Sequence, residues 1–92
     1  MPQFAFDIAD VVDLGDDHEG ITLIGPPIGT SGGLEIGDTL LVPTVEGDHT
    51  PCECVGFPLV DLGPERASWV RVSVGGVMLD EVLVGARATR QA

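Results

Sequence analysis

Apolar and polar residues alternate with a period of two along most of the chain, and no long stretch sustains the i, i+3, i+4 spacing of a helix. In "FAFDIADVVDL" (4–14), Phe4, Phe6, Ile8, Val12 and Leu14 fall on one face of a first strand, with Ala5, Asp7, Val11 and Asp13 on the other. Asp10 interrupts the apolar face, so it is either a partnered buried acid or the site of a β-bulge, with the bulge preferred. "LGDDHEG" (14–20) reads as a polar turn into a short strand at Ile21–Ile24, and the breakers of "GPPIGTSGG" (25–33) as a loop. Thr39–Pro43 is a third strand, and "TVEGDHTP" (44–51) turns the chain into a fourth at Cys52–Leu59. After the connection "DLGPERA" (61–67), Ser68–Val74 sends Val70, Val72 and Val74 inward and Trp69, Arg71 and Ser73 outward. "GGVMLDEV" (75–82) has room for one helical turn, and Leu83–Thr89 is the last strand.

Six or seven short strands, with turn signals roughly every 8–12 residues, predict an all-β fold: a small antiparallel, Greek-key-like β-barrel. The 92 residues make a single domain, 1–92, with one core.

Charge narrows the partners. Thirteen of the 15 acids lie in residues 1–65, which hold no lysine or arginine; all four arginines and the other two acids lie in 66–92. Nucleic acid is bound largely through neutralised phosphates, so a chain of net charge −11 is expected to repel it. No apolar run approaches the ~20 residues of a membrane span. The N-terminus has no basic segment leading into a long apolar core, so a cytoplasmic location is expected. Two cysteines do not make a disulfide scaffold.

"FAFDIADVVDL", then "GGLEIGDTLLVP" (32–43), "CECVGF" (52–57), "WVRVSVGGV" (69–77) and a terminal Gly85 together resemble domain 2 of elongation factor Tu and other translational GTPases. The likeness rests on Ile8, Asp10-Val11, Gly33-Leu34, Gly37-Asp38, Val70, Val72, Gly76-Val77 and Gly85, and covers nearly the whole chain in order. It implies a stand-alone barrel of the translation-factor domain 2 type, and raises contact with the ribosome or a tRNA end as one role. Pro26-Pro27 and Gly75 stand where those barrels often carry basic residues, and no phosphate-binding glycine loop is present. Within this pattern Gly37 suits a turn with positive φ and Asp38 can bond the backbone beside it.

Three groups of residues invite chemistry. His49, Cys52 and Cys54, with His18 if folding brings it near, are metal candidates, or a base and a thiol nucleophile. Cys-x-Cys on a strand sets the Cα atoms ~6.6 Å apart with parallel side chains, whereas a disulfide wants its Cβ atoms ~3.8 Å apart, so an intrastrand bridge is not expected. Small core cysteines are the plainer account, and no metal or other cofactor is expected. Asp13, Asp16, Asp17 and Glu19 have oxygen ligands for a hard cation but not the alternation of a calcium loop, so a solvated turn is preferred. Trp69 and Arg71 share an outward face, and Trp69 is either a cap on one barrel end or an interface anchor. The expectation is a non-catalytic binding module that meets a protein partner or another copy of itself.

Overall fold

The structure, a computed structural model, describes residues 4–13, 20–28, 33–58 and 61–91. Seven strands form one antiparallel sheet: β1 (Ala5–Asp7), β2 (Asp10–Val12), β3 (Ile21–Gly25), β4 (Thr39–Pro43), β5 (His49–Gly56), β6 (Val70–Gly75) and β7 (Arg87–Arg90). Their spatial order is β1-β7-β4-β5-β6-β3-β2. Among the described residues, two short 3-10 turns, Pro64–Arg66 and Leu79–Glu81, are the other regular elements, and none is α-helical. The fold is all-β, as the alternation predicts.

The two ends of the sheet are one piece of chain. β1 and β2 are separated only by Ile8 and Ala9, yet β1 pairs with β7 and β2 with β3. β1 is also bonded along its other side, where Phe6 forms a bridge with Pro27 and Asp7 N–H donates to the Pro26 carbonyl at 3.2 Å. Segment 5–12 therefore runs between β7 and the β3 side, and the sheet closes on itself as a barrel. Gly25 allows the approach: a Cβ there would collide with the Asp7 carbonyl.

A bulge sits in that closing segment. Ala9 N–H donates to the Ile24 carbonyl at 2.8 Å while Asp10 stands opposite the same Ile24, so two residues face one. Asp10 is exposed, and its carboxylate accepts from Val11 N–H at 2.8 Å. The extra residue flips the faces beyond it. Val11, not Val12, packs against the core, which corrects the face assigned from simple alternation.

Inside the barrel, Phe6, Ile8, Leu23, Leu40, Val42, Cys52, Cys54, Val72, Val74 and Ala88 are essentially sealed from solvent. Apart from Phe6, these side chains are small or branched, which fits the narrow interior of a small barrel. A second buried patch lies on the opposite face of β3 and β6. There Thr22 and Ser73, paired in register, share a hydroxyl hydrogen bond of 3.0 Å, and Ile24 is buried beside them.

Boundaries moved by a few residues. β5 starts at His49 and carries a register shift between Cys54 and Gly56. β6 starts at Val70, so Trp69 is the last residue of the preceding loop. β7 starts at Arg87, because 79–81 form the expected turn and residues 83–86 bend around Gly85 at φ 97°. "LEIGD" is a turn: Gly37 has φ 97°, Asp38 N–H donates to the Glu35 carbonyl at 3.0 Å, and the Asp38 carboxylate accepts from Glu35 N–H at 2.8 Å.

Candidate functional site

Trp69 stands at the mouth of β6, at the end of a loop that its own neighbours hold in shape. The loop opens at Gly63, whose N–H donates to the Asp61 carboxylate at 2.9 Å. Pro64 starts the 3-10 turn with a ring that presets φ, and Trp69 N–H closes the loop on the Arg66 carbonyl at 3.0 Å. Arg71 reaches back from β6. Its guanidinium points at the carbonyls of Trp69 at 3.3 Å, Arg66 at 3.4 Å and Ala67 at 3.5 Å. Each contact is long, but one cation faces three carbonyl dipoles, so Arg71 acts as a clamp on the loop. Its Nε is buried and has no acceptor among the described residues.

The clamp presents Trp69 together with Arg66. The Arg66 guanidinium carbon lies 5.0 Å from the centre of the indole, within cation–π range. Trp69 is half-buried, Arg66 is exposed, and Trp69 is not among the side chains packed on the barrel core. Both residues singled out from sequence are half-buried: Trp69 carries the contact with Arg66, and Arg71 holds the loop carbonyls. Arg66 was missed, since 61–67 reads only as a connection. Its signal is the spacing Arg66-x-x-Trp69, which stacks two side chains once a 3-10 turn is placed there.

The four arginines differ in their partners. Arg87 pairs with Asp7 at 3.4 Å, and Arg90 with Asp38 at 3.8 Å while also donating to the Gly33 carbonyl at 2.9 Å. Among the described residues, Arg66 and Arg71 have no carboxylate partner. Arg66, Arg71 and the chain's single tryptophan share one corner, in a loop that also carries Asp61 and Glu65.

The thiols are elsewhere. Cys52 and Cys54 both point into the barrel core and are free. Burial lifts the Cys52 thiol from its ordinary 9.0 to about 11, with the charge of Glu81 adding to the rise. Cys54 is pushed up mainly by burial, with the charges of Asp38 and Glu53 adding and a backbone hydrogen bond from Gly56 opposing. His49 is exposed and has the opposite parity on β5, so it projects away from both sulfurs. A thiol held protonated in a dry core is a poor nucleophile and metal ligand. Among the described residues, no three His, Cys, Asp or Glu side chains are grouped to hold a metal ion. His18, Asp16, Asp17 and Glu19 lie outside the described residues; Asp13 is exposed. No described helix is long and apolar enough to cross a membrane.

No family model, curated protein or solved structure matches the chain. The corner sets an indole face beside the Arg66 guanidinium.

Proposed function

We propose that this chain is a non-catalytic binding module that meets a protein partner, or a second copy of itself, through the Arg66–Trp69 corner. The observation that carries the reading is the clamp: Arg71 spends its cation on three loop carbonyls, which fixes Trp69 and Arg66 before any partner arrives. Pre-fixed aromatic and arginine side chains lose little entropy on association, and both types are enriched among the residues that dominate interface energies. A complementary surface would be acidic, and a second copy has one to offer in residues 1–65.

The resemblance to elongation factor Tu domain 2 adds an architectural frame. The positions that carry it sit at structural joints: Gly37, Gly76 and Gly85 have positive φ, Asp10 flanks the bulge, and Val70 and Val72 face inward. We read the chain as a stand-alone barrel of that type. Contact with a ribosome or tRNA is the less favoured role, because two of four arginines are already tied to Asp7 and Asp38.

The test is the double substitution Arg66→Ala/Trp69→Ala, both at surface positions, in the full chain. Mass by light scattering and recovery of partners from native lysate are compared with wild type. Lost self-association or lost partner recovery, with an unchanged circular dichroism spectrum, supports the corner. Unchanged mass and recovery in a folded variant place the contact surface elsewhere.

A further inference from the structure

A second surface, at a different end of the barrel, has the opposite chemistry. The β4–β5 turn and the β6–β7 connection are stitched together there. Thr44 forms a bridge with Val82, Val45 N–H donates to the Glu81 carbonyl at 2.9 Å, and Leu83 N–H donates to the Pro43 carbonyl at 2.9 Å. Met78 and Glu81 lock the 3-10 turn reciprocally, Met78 N–H to the Glu81 carboxylate at 2.9 Å and Glu81 N–H to the Met78 carbonyl at 3.0 Å. This framework holds apolar side chains out in solvent. Val45, Met78, Leu79, Leu83 and Val84 are 58%, 66%, 45%, 40% and 52% exposed, and account for five of the seven large apolar residues so exposed among the described residues.

Between the two stitched segments lies a cavity of about 80 Å³, lined by Thr44, Val45, Glu46, Asp48, Thr50 and Glu81. Three of its six lining residues are carboxylates and none is basic. The Thr44 hydroxyl is already donated to the Asp48 carbonyl at 3.1 Å, so the cavity's wall is pre-set. An apolar patch that borders a small acidic cavity selects its occupant by charge: a cation must enter, and apolar groups must flank it.

We propose that this end docks a partner segment in which a lysine or arginine is flanked by apolar residues. The cation enters among Glu46, Asp48 and Glu81, and the flanking residues cover Val45, Leu79 and Leu83. The proposal extends the reading of the chain as a binding module but does not depend on the Trp69 corner.

The experiment measures fluorescence anisotropy of a labelled peptide of alternating lysine and leucine, titrated with the full chain at physiological salt. A lysine–serine peptide and a glutamate–leucine peptide serve as controls. The lysine–leucine peptide should bind at least about tenfold more tightly than lysine–serine, and glutamate–leucine should not bind. Val45→Ser/Leu83→Ser and Glu46→Gln/Asp48→Asn should each weaken binding by about tenfold. Trp69→Ala should leave it unchanged, and circular dichroism checks that every variant folds. Equal binding of lysine–serine would mean general attraction to an acidic protein and would overturn the proposal. So would indifference to both double variants in a folded chain. If Trp69→Ala abolishes peptide binding, the two surfaces are one and this assignment fails. A concentration-dependent rise in mass that Glu46→Gln/Asp48→Asn removes would make the occupant a second copy and overturn the choice of a separate partner.

Discussion

The guanidinium of Arg66 lies 5.0 Å from the centre of the Trp69 ring, in a loop whose carbonyls are held by Arg71. One pair is on display and one residue supports it. Substitutions at 66 and 71 are therefore expected to behave differently.

Arg71→Ala should free the loop carbonyls and let water reach the indole. Because Trp69 is the chain's single tryptophan, its emission reports this directly. We expect a red shift and stronger acrylamide quenching, with a stability loss of about 1–2 kcal/mol. Arg66→Ala should alter the emission but cost roughly 0.5 kcal/mol, as expected for an exposed cation–π pair. Equal effects from the two variants would contradict the division of roles.

Cys52 makes stability depend on alkaline pH. Its folded thiol keeps its proton to about 11, against an ordinary 9.0, so the folded state binds that proton more tightly than the unfolded chain does. The stabilisation is intact below pH 9 and is lost as the pH climbs toward 11. Urea denaturation should show a loss of roughly 2 kcal/mol from Cys52 by about pH 10.5, which Cys52→Ala removes, leaving the part due to the Cys54 thiol that burial also pushes up. Native thiols should also react with a disulfide reagent far more slowly than unfolded ones at about pH 8. Prompt native labelling would show that the barrel opens to its thiols.

Closure of the barrel rests on a close backbone approach at Gly25. A methyl group there meets the Asp7 carbonyl, which belongs to the strand joining both ends of the sheet. Gly25→Ala should destabilise the chain by about 3 kcal/mol, read from the denaturation midpoint. Gly33→Ala, where nothing lies within 4 Å, is the control and should be near neutral.

Strands and core were largely legible because period-two alternation encodes both at once. Thr39–Pro43 was placed to the residue, and Val72 and Val74 face inward as expected. What failed was whatever alternation alone cannot encode. The misplaced acid Asp10 signals a bulge, but alternation does not show that the bulge exchanges Val12 for Val11 on the inner face. The corner was half legible. Trp69 and Arg71 stood out as residue types, whereas Arg66 belongs to a turn with no periodicity to reveal it. Burial of Thr22 and Ser73 was hidden for a similar reason, since polar residues on an outward face do not announce a second buried patch.

Weak affinity for RNA follows from the distribution of charge. With Arg87 and Arg90 engaged by Asp7 and Asp38, only Arg66 and Arg71 lack a carboxylate partner among the described residues. At most two phosphate contacts remain, and Arg71 is already engaged with loop carbonyls, so any salt dependence should be no steeper than a slope of about −1.4 to −1.8. Filter binding with tRNA should detect no complex at physiological salt. Micromolar binding there would favour the translation-associated role over a protein partner.

The central claim, that the Trp69 corner is a protein contact surface, is tested most directly by photocrosslinking in cells of the native host. A benzoylphenylalanine placed at Trp69 is compared with the same probe at Glu53, exposed on β5. The account predicts that the probe at 69 captures one discrete protein, a second copy of this chain or another polypeptide, and that the probe at 53 does not. An indistinguishable pattern at the two positions, in chains that fold alike, would contradict it.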